Sequence, residues 1–322
     1  MLCRMDKVDV SVVVAVQRGA NALPTFLTHL EQQSFPAARF EIVVADAGST
    51  DHAGGVVERF AAGSPIRTRC IRIPSGNLAQ AWNVGVREAR GKWVLFLDLD
   101  LLAGPHWIER HVLAQAEYDG GAMVLGAIQR HPQLSSEALT RWFLPEHTQM
   151  LPPGTVPKPI ECRMDNMSVP RRVFLEAQGV DDAFGDTRLN GVDLAWRLAA
   201  QGVPRMYTDK AAAFMWRPVT FNEEAARNYL FGYGLRTLED KTHDPEITRR
   251  FSVLRGFPRA SLDGLVVPFY QQACQRSEEN TRLMGYAYRR VLRYELFQGY
   301  QDARKGRPPR ISTWNQDGNL SH

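Results

Sequence analysis

Apolar runs of strand length recur through the first hundred residues, each followed by a polar turn and then by helical spacing. Val8 to Val16 is dominated by valine and predicts a central strand buried on both faces. After the polar, Gly-containing loop from Gln17 to Ala22, Pro24 starts a helix that puts Leu23, Phe26, Leu27 and Leu30 on one side. Phe40 to Ala45 predicts a second strand, which runs into Asp46-Ala47-Gly48-Ser49-Thr50-Asp51 and a helix from Gly54 to Phe60. Arg69 to Ile73 predicts a third strand and Asn77 to Ala89 a helix closed by Arg90-Gly91. The fourth apolar run, from Lys92, ends abruptly in Asp98-Leu99-Asp100. Such alternation is the pattern of an α/β fold: a parallel sheet with helices on both faces and right-handed crossovers.

In a sheet of this kind, ligands sit at the carboxyl ends of the strands, where Asp46, Asp98 and Asp100 all fall. If the extended form persists through Asp100, Asp98 and Asp100 share one face. Two carboxylates so close repel unless a cation lies between them, which points to a divalent ion bridging the phosphates of a nucleotide. The plainer reading caps a helix with one acid and leaves the other in water. Asp46 can accept a hydrogen bond from a base N–H or from ribose hydroxyls. No Gly-x-Gly-x-x-Gly follows the first strand and no Gly-Lys-Ser/Thr loop is present, which disfavours dinucleotide and P-loop sites.

Further along, Gly104 to Tyr118 predicts a helix and Gly120 to Ile128 a strand. His131 to Pro159 has no clean period and suits a binding loop or lid, with His131 and His147 read as surface residues. A helix over Arg171 to Gln178, a strand over Tyr207 to Ala213 and a helix over Asn222 to Leu235 follow. Leu262 to Cys274 and Glu278 to Arg304 predict two more helices, and Lys305 to His322 is expected to fray. The last helix sets Leu283, Tyr286, Ala287, Val291, Tyr294 and Phe297 against Arg282, Arg289, Arg290 and Arg293. That face could lie on an anionic membrane, pack on its own domain, or meet a second copy as a homodimer. At 322 residues, with 44% hydrophobic and 23% charged residues, the chain can bury a sizeable core, and a net charge of +4 argues against nucleic acid as a partner. Four cysteines without metal spacing, no signal-like segment in Met1 to Lys7 and no membrane-length apolar run predict a cytoplasmic protein, at most peripheral to a membrane.

The order and spacing of Val10-Ser11-Val12-Val13-Val14-Ala15-Val16, Glu41 to Asp51, Asn77 to Gly85 and Leu97-Asp98-Leu99-Asp100 resemble the family-two glycosyltransferases of GT-A fold. The resemblance covers roughly Val8 to Arg236. It implies a Rossmann-like, mostly parallel sheet flanked by helices over residues 1–240, with a nucleotide-binding half (1–118), an acceptor half (119–240) and a helical C-terminal extension (241–322). It implies a UDP-, GDP- or dTDP-sugar donor, a saccharide or lipid-linked acceptor, inversion at the transferred sugar, and Mn²⁺ or Mg²⁺ as cofactor. Asp46, Ser49, Asn77 and the backbone near Ala15 and Val16 would hold the nucleotide. Asp98 would contact ribose or metal, and Asp100 would be the main metal ligand. Asn83, Asn166 and Arg227 would face donor or acceptor, with Arg227 or Arg236 steadying the diphosphate.

The departures from the family carry information. Ala47 stands where a second acid is common, and Trp82 where an arginine is common. Asn190-Gly191 replaces the usual Glu-Asp, whose Asp deprotonates the acceptor. General-base help is worth about 10²–10⁴-fold, so a substitute carboxylate is expected, Asp193 first and Asp186 second. Phe214-Met215-Trp216-Arg217-Pro218 offers Trp216 near the place of a metal-binding histidine. The missing Glu-Asp keeps a second reading open: a noncatalytic protein that binds a nucleotide-sugar. A nucleotidyltransferase ranks third, because Arg18-Gly19 is a poor match to the basic glycine-rich loop it needs.

Overall fold

A computed structural model describes residues 8–74, 76–118, 121–134, 151–152, 154–218, 220–242 and 282–310. The described residues fall into two compact units. One lies within Met1–His131, Glu146–Asp186 and Asn190–Arg217, the other within Pro132–Pro145, Thr187–Leu189 and Pro218–His322.

The first unit is built on a mixed eight-stranded sheet of order β3-β2-β1-β4-β7-β6-β8-β5. Its strands are β1 (Val10–Val16), β2 (Phe40–Asp46), β3 (Arg67–Arg72), β4 (Trp93–Leu97), β5 (Leu101–Ala103), β6 (Met123–Arg130), β7 (Asn166–Pro170) and β8 (Arg205–Met215). β3, β2, β1 and β4 are parallel, as the alternation predicts. β7 pairs antiparallel with β4 and β6, and β5 pairs antiparallel with β8. The sheet is therefore parallel from β3 to β4 and mixed beyond β4.

Among the described residues, six helices flank it: α1 (Leu23–Glu31), α2 (Ala53–Gly63), α3 (Leu78–Glu88), α4 (Trp107–Glu117), α5 (Arg171–Glu176) and α6 (Asn190–Ala200). Successive residues of β1 feed opposite cores, because side chains alternate along a strand. Val10, Val12, Val14 and Val16 join Leu23, Phe26, Leu27 and Leu30 of α1 on one face. Val13 joins Val43, Phe96, Phe174 and Leu194 on the other. Burial on both faces explains why these strands read as unbroken apolar runs. α3 lies very close to β1: a Cβ on Gly85 would sit 2.5 Å from Val13 Cγ1.

The second unit contains α7 (Phe221–Thr242) and α8 (Arg282–Arg304), packed on each other. Two glycines let the backbones touch, since a Cβ on Gly232 would fall 1.9 Å from Leu296 O and one on Gly299 1.9 Å from Tyr229 O. Tyr229 donates to Asp302 Oδ2 at 3.0 Å, and Arg307 and Arg310 close on the same carboxylate. Lys305–Arg310, expected to fray, is therefore held in part by Asp302. On α8 the buried side chains include Ala287, Tyr288 and Val291, whereas Tyr286, predicted on the apolar side, is 49% exposed. The predicted helix over Leu262 to Cys274 and His147 lie outside the described residues. Among the described residues, no helix is long and apolar enough to cross a membrane.

Candidate functional site

The carboxyl ends of β1, β2 and β4 bring Val16, Asp46 and Asp98 to one edge of the first unit. Asp46 ends β2 opposite Val16 and is 3% exposed. Its Oδ1 accepts the Ser49 N–H at 2.6 Å, which curls the Gly48-Ser49 segment back over the carboxylate; Gly48 takes φ +83° to allow it. Ala47 N donates to Val16 O at 2.7 Å, tying the β1 and β2 ends together beside Ala15. An open cavity of about 340 Å³ adjoins this acid, lined among others by Asp46, Ser49, Thr50, His52, Cys70 and Arg72. The Ser49 hydroxyl is buried there without a hydrogen-bond partner, a group that a polar ligand would satisfy. Burial, helped by the Asp46 charge, pushes the Cys70 thiol up to about 11, so it stays protonated at neutral pH.

Asp51 braces the neighbouring loop. Its Oδ2 accepts the amides of Gly19 at 2.7 Å and Ala20 at 3.0 Å. Burial works against its ionised form, but hydrogen bonds from the amides of Ala20, Gly19 and Ala53 outweigh it and hold the carboxyl below its ordinary value. Asn77 is the N-cap of α3, with its Oδ1 taken by Gln80 N at 3.0 Å in a capping box. Asp186 reaches the same end of α3: Leu78 N donates to it at 2.9 Å and Gln17 Nε2 at 3.1–3.2 Å.

The two acids after β4 depart from expectation. The strand ends at Leu97, and Asp98 to Leu101 form a turn instead of continuing extended. Asp100 N donates to Asp98 Oδ1 at 2.8 Å and Leu101 N to Asp98 O at 2.9 Å. The side-chain acceptor two residues back offers the backbone a local partner, which is why the extended form gives way. Asp98 N is itself anchored to Asp165 O at 2.9 Å. β5 then pairs with β8 so that Leu101 faces Met215, bringing the residues after β8 alongside Asp100. Arg217 Nε lies 2.7 Å from Asp100 Oδ1, and Trp216 Nε1 reaches Leu99 O at 3.4 Å.

Among the described residues, no three His, Cys, Asp or Glu side chains gather as a self-sufficient metal cage. The turn offers two carboxylates, with one oxygen of Asp98 already engaged. That donor set fits a hard divalent ion drawing its other ligands from a diphosphate and water.

Other expected site residues are occupied inside the protein. Asn83 is half-buried and its amide donates to Val180 O at 2.7 Å and accepts Val180 N at 2.9 Å, clamping α3 to the turn after α5. Asn166 is 1% exposed and saturated, accepting from Trp107 Nε1 at 2.7 Å and facing His111 Nε2 at 3.0 Å, while donating to Ala127 O and Ala211 O. His111 also meets Ser168 Oγ at 3.0 Å, and burial drives its pKa down to about 4, leaving it neutral. Arg227 belongs to the second unit, where Glu224 lies 3.8 Å away.

Asp193 is 4% exposed and pairs with Arg197 at 2.8 Å, whose guanidinium also binds Ala177 O and Gly179 O. That geometry makes Asp193 the counter-ion of Arg197 inside a fold clamp. Gly191, where the family has its Asp, has no room for one: a Cβ would lie 2.8 Å from both Cys162 O and Met164 N. Sequence reasoning did not single out Asp51, Arg72 or Arg217. Arg217 directly follows the tryptophan found where a metal-binding histidine was sought, which was the available signal.

Comparison with known proteins gives one consistent answer. The sequence profile of glycosyl transferase family 2 matches residues 11–177. Validoxylamine A glucosyltransferase of Streptomyces hygroscopicus subsp. jinggangensis is 29% identical over 222 residues, covering 60% of this chain and 52% of that protein. Poly(ribitol-phosphate) beta-N-acetylglucosaminyltransferase TarS of Staphylococcus aureus is 32% identical over 90 residues, 28% of this chain and 16% of that one. The chain thus spans about half the length, or less, of these curated relatives. Among solved structures, mannosyltransferase PcManGT of Pyrobaculum calidifontis, in complex with GDP-Man and Mn²⁺, superposes with TM-score 0.60 at 16% identity, covering 93% of this chain and 88% of that one. S. aureus TarS 1-349 in complex with UDP gives TM-score 0.51 at 17% identity, covering 94% and 93%. At these identities the likeness is one of fold.

Proposed function

The chain belongs to glycosyl transferase family 2, and from that membership we propose that it transfers a sugar from a nucleoside diphosphate to a hydroxyl of a saccharide or lipid-linked acceptor, with inversion and with Mn²⁺ or Mg²⁺ as cofactor. The observation that carries this reading is the shared edge: the Asp46 cavity with its unsatisfied Ser49 hydroxyl, and the Asp98–Asp100 turn, at the carboxyl ends of β2 and β4, the parallel strands on either side of β1. Asp46, Ser49 and the Ala15–Val16 backbone take the base, and Asn77 fixes the α3 end beside it. Asp98 and Asp100 hold the ion, which when bound would neutralise the diphosphate and stabilise charge on the leaving group.

The proton of the acceptor goes to Asp186 in this reading. Its carboxylate is half-buried at the β1 end, bridging Gln17 and the α3 N-terminus, whereas Asp193 is committed to Arg197. The exposed Arg289 and Arg293 of α8, with Tyr286, supply the face that would meet an anionic membrane bearing a lipid-linked acceptor. The direct test is calorimetric titration of UDP, GDP and dTDP with Mn²⁺ present or chelated. Binding of one of them that weakens on chelation, and is lost in Asp46→Asn, supports the proposal. No binding of any of the three refutes it.

A further inference from the structure

The pair Asp100–Arg217 has a consequence beyond the donor site just proposed, and rests on that reading. The Arg217 side chain is 39% exposed and that of Asp100 18%, so the guanidinium is partly open to solvent. Arg217 Nε lies 2.7 Å from Asp100 Oδ1, an ion pair between the two side chains. Its position is not accidental. β5 and β8 run antiparallel with Leu101 opposite Met215, and Trp216 N approaches Asp100 O at 3.5 Å, so the ladder itself carries Arg217 to the acid.

We propose that Arg217 is the resident counter-cation of Asp100 in the ligand-free protein, and that it becomes a diphosphate-binding residue once a divalent ion takes that carboxylate. The guanidinium and a divalent ion compete for one carboxylate, so the ion alone binds weakly. A nucleoside diphosphate resolves the competition, because it offers the ion further oxygens and the displaced guanidinium a bidentate anionic partner. Metal and donor therefore bind as a coupled pair, and the coupling is reciprocal. A guanidinium suits this double use because its planar fork of donors fits carboxylate and phosphate alike.

The test uses the full chain and two variants, Arg217→Gln and Arg217→Lys, whose melting temperatures report folding. Mn²⁺ alone is titrated by electron paramagnetic resonance, and then UDP and GDP are titrated at saturating Mn²⁺ by calorimetry. Arg217→Gln is expected to tighten Mn²⁺ alone by roughly threefold to tenfold and to weaken the bound nucleoside diphosphate by about tenfold or more. Arg217→Lys, which keeps the charge, is expected to lie between wild type and Arg217→Gln on both axes. Opposite signs are the signature, since a merely structural role would weaken both. If wild type binds a nucleoside diphosphate with Mn²⁺ and Arg217→Gln changes neither affinity, or weakens both, the Arg217 proposal is overturned and the donor site stands. If wild type binds neither UDP nor GDP, the donor-site reading fails and this inference with it.

Discussion

The amide of Asp100 donates to the Asp98 carboxylate at 2.8 Å, so the first acid fixes the backbone from which the second projects. Asp98 therefore has a structural task beside the proposed chemical one, and the two can be separated. Asp98→Asn keeps an oxygen for the Asp100 N–H and is expected to unfold in urea within about 0.5 kcal/mol of wild type. Asp98→Ala loses that acceptor and is expected to cost about 1 kcal/mol or more. Both variants are expected to lose Mn²⁺-dependent binding of a nucleoside diphosphate in calorimetry.

Ser49 gives a cleaner probe of the proposed nucleobase cavity. Its hydroxyl is buried without a partner, so Ser49→Ala removes an unsatisfied group and is expected to leave stability unchanged or raise it by about 1 kcal/mol. If a base or ribose fills the cavity, the same change weakens nucleoside diphosphate binding by about fivefold to tenfold. Gain or neutrality in unfolding, with loss in binding, is the expected pair of results.

The two candidate carboxylates for acceptor deprotonation respond differently. Asp186→Asn is expected to lower turnover by about 10²-fold or more while the donor still binds. Asp193→Asn is expected to lose about 2 kcal/mol of stability by breaking its pair with Arg197, while the folded fraction turns over normally. Restoring the family residue at Gly191 is expected to harm the protein: Gly191→Asp forces a side chain against the Cys162 and Met164 backbone, and soluble yield or melting temperature falls.

His111 sets an acid limit on stability. Its folded pKa, near 4, lies below the ordinary 6.5, so between these values the unfolded chain binds the proton and the folded chain does not. The stabilisation is complete above pH 6.5 and is lost as pH falls towards 4, at up to about 1.4 kcal/mol per pH unit. Urea unfolding across that window is expected to show the slope, and His111→Gln to flatten it whatever its effect at neutral pH.

The central parallel strands β1, β2 and β4 were legible because they are buried almost throughout and so read as mostly apolar runs. All four buried α1 positions follow from helical spacing for the same reason. The antiparallel half was harder. β5 is three residues long, too short for any period, and its pairing with β8 links distant parts of the chain. That pairing is what delivers Arg217 to Asp100, so the contact has no signature along the sequence. The internal partners of Asn83 and Asn166 were hidden for a related reason: a polar residue in a motif looks available until its partners are known, and theirs include Val180, Trp107, Ala127 and Ala211. The turn at Asp98 was missed because an apolar run gives no sign of where its extended form stops.

The most direct measurement of the central claim is consumption of UDP-, GDP- and dTDP-sugars in Mn²⁺ with mixed saccharide acceptors, comparing wild type with Asp100→Asn. The account predicts that one donor is consumed, with release of its nucleoside diphosphate, and that the variant loses at least about a hundredfold in rate. Consumption of no donor, or equal consumption by the variant, would contradict it.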